Sequence, residues 1–304
     1  MIQKVDKIWM DGKLVNWDQA QVHIMTLTLH YGLGVFEGIR FYATKKGAPA
    51  IFRHQDHIKR LFDSAKILTM EIPFSFDEVI KAERELVKVN KLETGYLRPL
   101  VYMSDGEIGL AAHNPVRLAI ITFPWGAYLG EEGIQNGIRA KVSSFNRHHI
   151  NAMMTKAKAV GSYINSILAK REALKAGYEE AIMLDTDGYV SEGSGENIFI
   201  VRNGKVKTTP IGTILEGITR STAITLLRDQ GHEVEEQRFT RDELWTADEV
   251  FLTGTAAEIT PIREIDDRKI GSGKPGKLTK SLQDLFHRVV RGEESRYAEW
   301  LDTI

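Results

Sequence analysis

Apolar positions along the chain change their spacing repeatedly, and each change marks an element. Residues 7–15 alternate around Asp11-Gly12, a pair that tolerates positive φ, so a β-hairpin is expected there. Residues 38–42 and 50–52 give two further strand edges. From residue 54 to 69 the period lengthens: Ile58, Leu61, Phe62, Ala65 and Leu68 fall on one helical face. Ser75-Phe-Asp-Glu78 has the form of a capping box and opens a helix running to about residue 90. Residues 96–103 and 116–122 then read as buried strands.

Pro124-Trp-Gly-Ala-Tyr-Leu-Gly130 follows a strand with a proline, two glycines and aromatics, the composition of a connecting loop with a function. It divides the chain into a small domain over residues 1–124, an interdomain loop over 125–133 and a larger domain over 134–304. In the larger part a strand is expected over 138–144. A helix is expected over 155–176, with Ile164, Ile167, Leu168 and Leu174 inward and Gly177 as its stop. Asp185-Thr-Asp-Gly188 and Arg202-Asn-Gly-Lys205 predict two hairpins, the first of which puts Glu192 at a strand end. A helix over 218–230 stops at Gly231, Thr240-Arg-Asp-Glu243 is a second capping box, and a strand over 249–252 feeds Gly254-Thr-Ala-Ala257. Gly271-Ser-Gly-Lys-Pro-Gly276 reads as a surface connection before a last helix over 277–290. Glu37-Gly-Ile-Arg40 and Glu216-Gly-Ile-Thr-Arg220 look alike, but their flanks match at no fixed period, so they are not a repeat.

Composition narrows the function. A chain of 304 residues with 42% hydrophobic content buries a substantial core and fits two domains. Forty basic against 41 acidic residues, with no basic block interleaved with aromatics, argues against a nucleic-acid partner and for small-molecule chemistry. Zero cysteines exclude disulfides, thiolate metal sites and a cysteine nucleophile. No window reaches the roughly 20 apolar residues that span a bilayer, and the N-terminus has no apolar core with a cleavage site, so a cytoplasmic protein is expected. Adjacent His148 and His149 do not easily share one ion and lack an acidic partner at ligand spacing, so no metal is assigned.

Three features carry chemistry. Gly217-Ile-Thr-Arg220 opens a helix after an irregular segment, which aims free backbone N–H groups and a positive dipole end at one spot, as a phosphate requires. Thr255 adds a hydroxyl in a turn after a buried strand. Glu192, beside Gly193 and Gly195, can aim its carboxylate at a closely approaching ligand. Lys156 and Lys158 open the helix expected over 155–176, and Ala157, Ala159, Val160 and Gly161 give Lys158 small apolar neighbours that favour a desolvated amine. Taken singly these are a plain cap, a solvated acid and a surface lysine, and Tyr31, Tyr96, Tyr128 and Tyr163 are core aromatics. Taken together they supply what pyridoxal 5'-phosphate (PLP) needs: an amine for the aldehyde, a carboxylate for the ring nitrogen and a phosphate cradle.

Glu192-x-Ser-x-x-Asn197-Ile-Phe199, Val206-x-Thr208 and Leu215-x-Gly-Ile-x-Arg220 resemble the signature of class-IV PLP aminotransferases. With His30-Tyr-Gly-Leu-Gly-Val-Phe-Glu-Gly-Ile-Arg40, Tyr96-Leu-Arg-Pro99, Phe123-Pro-Trp-Gly-Ala-Tyr-Leu129 and Gly254-Thr-Ala-Ala-Glu-Ile-Thr-Pro261, the chain resembles the branched-chain amino-acid aminotransferases over almost its whole length. The resemblance implies an α/β (α+β) fold type IV enzyme, with a small N-terminal α/β domain and a larger domain whose sheet core is barrel-like. It implies that Lys158 forms the internal aldimine with PLP, that Tyr163 bonds the phenolic oxygen and that Glu192 pairs with the pyridinium nitrogen. Arg60, the amides of Gly217, Ile218 and Thr219, and Gly254 with Thr255 would hold the phosphate. Leu215 would pack on the ring, while Gly195 and Asn197 shape the turn around Glu192. For substrate it implies an apolar wall of Phe36, Trp125 and Tyr163 rimmed by Tyr31, Tyr128 and Arg98, with Gly38, Tyr96 and the Ala256-Ala257 amides at the α-carboxylate. The implied reaction moves the amino group of L-leucine, L-isoleucine or L-valine to 2-oxoglutarate in a homodimer or higher homo-oligomer. The alternatives within the fold are a D-amino-acid aminotransferase and an aminodeoxychorismate lyase; outside it stands a catalytically idle PLP-binding protein. Glu216 replaces a proline common in the family, which implies a local change of loop shape.

Overall fold

The computed structural model describes residues 2–126 and 128–304, which form two compact units. The first holds the chain up to Gly126 together with Ala157–Ser162 and Arg288–Ile304; the second holds Tyr163–His287 and the segment ending at Lys156. Two pieces that lie late in the sequence therefore join the first unit, because strand pairing recruits them there.

The first unit is built on the strands β1 (Lys7–Met10), β2 (Lys13–Asn16), β3 (Gly34–Phe36), β4 (Ile39–Ala43), β5 (Pro49–Phe52), β6 (Gly95–Met103) and β7 (Val116–Phe123). Asp11 and Gly12 take positive φ (47° and 87°) and close the first hairpin as their sequence requires. Helix α1 (Leu27–Tyr31) precedes β3, and α2 (His54–Ile67) and α3 (Phe76–Val89) follow β5. Ile58, Leu61 and Ala65 of α2 and Val79, Ala82 and Leu86 of α3 are buried in one core with Phe41, Leu97 and Leu118 of the sheet. Ser75 Oγ accepts from Glu78 N at 3.3 Å while the Glu78 carboxylate accepts from Ser75 N at 2.7 Å, which is the capping box read from the sequence.

In the second unit a short helix α4 (Glu131–Asn136) leads into β8 (Ile138–Val142), and α5 (Tyr163–Lys175) is followed by β9 (Glu180–Leu184), β10 (Val190–Gly193), β11 (Asn197–Arg202) and β12 (Lys205–Thr208). Then come α6 (Ile218–Asp229), β13 (Val234–Glu236), α7 (Arg241–Trp245), β14 (Glu249–Gly254), β15 (Glu258–Ile265), β16 (Arg268–Lys269) and α8 (Lys277–Val290), whose residues from Arg288 onward belong to the first unit. Among the described residues nine strands form a half-barrel sheet in the order β10-β9-β8-β15-β14-β11-β12-β13, with β16 on β15. Its interior is lined by Ile182, Ile198, Leu252 and Ile262. Finally β17 (Leu301–Thr303) pairs antiparallel with β5 and closes the edge of the first unit's sheet.

Helix α5 differs from its sequence reading in two ways. It begins at Tyr163, so Lys156 and Lys158 lie outside it. The Gly161 N–H is bonded to Gly32 O at 3.1 Å and residues 160–162 form a turn, so the helix begins only after this amide is committed elsewhere. Its orientation is also reversed. Ser166, Ala169 and Ala173 face inward, while Ile164, Ile167, Leu168 and Leu174 are 65%, 46%, 43% and 54% exposed. Small residues let the helix lie close to the sheet, and the large apolar face is left outside. Tyr31 and Tyr128, read singly as core aromatics, are likewise exposed (48% and 41%), whereas Tyr96 is buried.

Candidate active site

In the first unit the segment around Lys158 behaves as an added strand. Ala159 bridges Val35, Phe36 N donates to Lys158 O at 3.1 Å, and Val160 N donates to Gly34 O at 2.8 Å. Lys158 N is bonded to Ser64 Oγ of α2 at 3.0 Å, so both backbone polar groups of this lysine are fixed. Its ammonium stands 5.0 Å from the Phe36 ring centre.

Arg60, on α2, directs Nε (2.6 Å) and Nη2 (2.9 Å) at the Glu37 carboxylate, which also receives His57 Nδ1 at 2.8 Å. Glu37 is wholly buried. Burial alone would raise its pKa; the Arg60 cation and the hydrogen bonds from His57 and Arg60 outweigh that and hold the carboxyl well below the usual range. Burial pushes His57 down to about 4 despite the neighbouring carboxylate, so its ring is neutral at pH 7. Sequence reasoning missed Glu37 and His57 as the supports of Arg60. The i, i+3 spacing of His57 and Arg60 was available as a signal, but only the fold brings Glu37 to them.

The substrate-side residues of this unit cluster on β6. The Arg98 guanidinium stacks 4.7 Å from the Phe36 ring centre and 5.2 Å from that of Tyr96, whose hydroxyl accepts from Arg98 Nη2 at 3.4 Å. Trp125 meets Tyr96 edge-on at 4.5 Å. Gly38 is obligatory there, since a Cβ would lie 1.7 Å from the Tyr96 hydroxyl oxygen. Arg40, also unforeseen, is buried and donates to the carbonyls of Trp125 (3.3 Å) and Gly126 (2.7 Å), which fixes the start of the loop.

In the second unit Glu192 sits on β10 after a bulge that follows Val190, and it is buried. Arg147 Nε lies 2.7 Å from its Oε1 but off the N–H axis, an ion pair rather than a directed hydrogen bond. Asn197 Nδ2 bridges Glu192 Oε2 (3.2 Å) and Leu215 O (3.0 Å), so the acid and the half-buried Leu215 are tied by one amide. Gly195 lies in the turn between β10 and β11, where Gly193 N donates to Glu196 O at 2.6 Å. Arg147 was not anticipated, and nothing in the sequence distinguishes it from other arginines.

Helix α6 starts at Gly217 with no side chain capping it, so the first-turn amides of buried Ile218 and Thr219 are free of a side-chain acceptor. A Cβ on Gly217 would come within 1.9 Å of Asn197 Oδ1, so only glycine brings this helix end so close to the Glu192 turn. Gly254 and Glu258 pair at the mouth of the β14–β15 hairpin, and Thr255, Ala256 and Ala257 form its loop. The buried Thr253 hydroxyl just before it has no hydrogen-bond partner. Amides without a side-chain acceptor and the Thr253 hydroxyl as donors, with the fixed Glu192 carboxylate as acceptor, form a set suited to an anionic, nitrogen-containing ring compound. Tyr163 heads α5 half-buried, and the Tyr128 ring centre lies 5.5 Å from the Lys170 ammonium. Lys156 and Lys158, which composition left undecided, are now distinct: Lys156 Nζ is bonded to Ile214 O (3.0 Å) beside Glu216 (3.6 Å), and burial lowers its pKa.

The model of the amino-transferase class IV family matches residues 34–265. A branched-chain-amino-acid aminotransferase of Pseudomonas aeruginosa is 52% identical over 294 residues, covering 96% of this chain and 95% of its own length. The solved Escherichia coli branched-chain amino acid aminotransferase superposes with a TM-score of 0.96 at 46% identity, over 99% of both chains. A solved branched-chain amino acid aminotransferase from T.th., complexed with N-(5'-phosphopyridoxyl)-L-glutamate, gives a TM-score of 0.94 at 45% identity, again over 99% of both chains.

Proposed function

Because the chain belongs to the branched-chain-amino-acid aminotransferases of class IV and is an enzyme of that activity, we propose that it uses PLP to move the amino group of L-leucine, L-isoleucine or L-valine to 2-oxoglutarate. The observation that carries this reading is the buried Glu192, held by Asn197 beside the uncapped start of α6. The relative bound to a phosphopyridoxyl-glutamate adduct supports both the cofactor and glutamate as the second amino-group carrier.

When bound, PLP supplies an electron-withdrawing ring that stabilises negative charge at the substrate Cα. Lys158 would hold the cofactor at its aldehyde, and its Nζ amine would be the general base for the substrate's α-proton. Glu192, ion-paired with Arg147, would hold a proton on the ring nitrogen. The α6 amides, Thr255 and Arg60 bind the phosphate, with Glu37 fixing the plane of the Arg60 guanidinium. Phe36, Trp125 and Tyr163 receive the branched side chain, and Arg98 meets the distal carboxylate of glutamate, which avoids burying that charge unpaired. Tyr96, Gly38 and the Ala256-Ala257 amides orient the α-carboxylate.

The exposed apolar face of α5, together with Leu110 (95% exposed) and Ile108 (56%), supports a homo-oligomer in which these residues are covered. Turnover of L-leucine, D-alanine and aminodeoxychorismate measured side by side tests the substrate reading, and preference for D-alanine would overturn it. Lys158→Ala is expected to abolish turnover without changing the circular dichroism spectrum. An active Lys158→Ala protein would sink the assignment of the base.

A further inference from the structure

Behind the turn that carries Glu192 lies a second buried charge cluster with no part in the chemistry above. Glu180, on β9, is fully buried; its Oε2 is 2.5 Å from Lys170 Nζ, and its Oε1 accepts from Ser194 Oγ (2.6 Å) and Ala181 N (2.7 Å). Ser194 lies in the β10–β11 turn, two residues after Glu192. Glu196, in the same turn, is also buried; burial and the Glu180 charge push it up to about 8, while Gly195 N donates to it at 3.1 Å. The Lys170 cation is thus paired with the Glu180 carboxylate, and the raised Glu196 stands beside that pair as a neutral acid at pH 7. Lys170 also donates to Glu179 O at 2.6 Å and stands under the Tyr128 ring at 5.5 Å.

We propose that Lys170 is a positioning residue that acts through Glu180 and Ser194 to hold the Glu192 carboxylate at the cofactor's ring nitrogen, and that the same ammonium steadies the Tyr128 ring. The chain of contacts is continuous: Lys170 fixes Glu180, Glu180 orients the Ser194 hydroxyl, and the turn from Gly193 to Glu196 inherits that orientation at the end of the strand bearing Glu192. Asn197 holds the acid from the front and this cluster holds it from behind. Without Lys170, the buried Glu180 carboxylate would lose its ion-pair partner beside the neutral Glu196. The Ser194 hydroxyl would then bond an acceptor no longer held in place by an ion pair.

The inference rests on the proposed pairing of Glu192 with the ring nitrogen, so its test isolates that nitrogen. Apo-protein is titrated with PLP and with 1-deaza-PLP, which lacks the nitrogen, in the wild type and in Lys170→Met, Lys170→Arg and Ser194→Ala. The wild type is expected to prefer PLP. In Lys170→Met that preference shrinks about tenfold, the loss of one charge-assisted hydrogen bond. Lys170→Arg restores it, and Ser194→Ala reduces it less than Lys170→Met does. A purely structural role would weaken both ligands equally and leave the ratio intact, and that result overturns the inference. Should Lys170→Met fail to fold, Ser194→Ala with an unchanged ratio overturns it alone. A wild type with no preference overturns the Glu192 reading and the inference with it.

Discussion

Replacing Glu37 by glutamine should destabilise the protein by about 3 kcal/mol at pH 7, at the low end of the range for deleting one member of a buried ion pair. The carboxylate has no exposure, and it receives Arg60 through two nitrogens (2.6 and 2.9 Å), His57 Nδ1 (2.8 Å) and Gly38 N (3.2 Å). Glutamine keeps one acceptor oxygen but turns an N–H toward donors, and it leaves the Arg60 cation, only 13% exposed, without its counter-charge. Urea unfolding of the cofactor-free protein, followed by circular dichroism, reads the difference. The folded-state pKa of Glu37 is depressed, so its contribution is complete above the unfolded carboxylate value of 4.5 and is lost as pH falls below it. The wild-type and variant curves should therefore converge in acid. A loss below about 1 kcal/mol at pH 7, or a gap that persists unchanged in acid, would refute the claim that charge rather than shape makes this residue matter.

His57, with a folded pKa near 4 against 6.5 unfolded, binds its proton only after unfolding in that window. Stability should therefore fall by about 1.4 kcal/mol per pH unit as pH is lowered from the unfolded to the folded value, and His57→Gln should flatten that slope in pH-dependent thermal melts. Glu192→Gln is expected to cut turnover about a thousandfold, matching a Coulomb energy of about 4 kcal/mol at 4 Å and an effective dielectric of 20, with restoration by no external amine. Gly217→Ala should raise the dissociation constant for PLP, measured by absorbance titration, because its Cβ lies within 1.9 Å of Asn197 Oδ1; unchanged affinity would show that α6 can retreat without cost. Ile164→Glu combined with Leu168→Glu should lower the mass seen by sedimentation, since two charges on an apolar contact face have no partner there.

Local signals in the chain were decisive wherever a few adjacent residues carry the physics. The Asp11-Gly12 turn, the Ser75–Glu78 capping box and the apolar face of α2 all form as read, because turn strain, capping and periodicity act within four residues. The Glu192–Asn197 and Leu215–Arg220 motifs are legible for the same reason: backbone geometry and side-chain chemistry lie close together in sequence. Helix α5 was misread because periodicity finds an apolar face without saying what that face meets, and here it meets solvent in the isolated chain. Lys158 was favoured over Lys156 by its small apolar neighbours and by the family resemblance, whereas its backbone setting comes from the bridge of Ala159 to Val35, more than a hundred residues away, which no local signal shows.

By itself the sequence determined the family, most of the larger helices and several of the strands, and named the candidate site residues. Tertiary structure alone decided which further groups support them: Glu37 and His57 behind Arg60, Arg147 beside Glu192, and Lys170 with Glu180 near the turn. The physical reason is that a buried charge is defined by its partners, and those partners come from distant strands and helices that only a completed fold brings within hydrogen-bond reach.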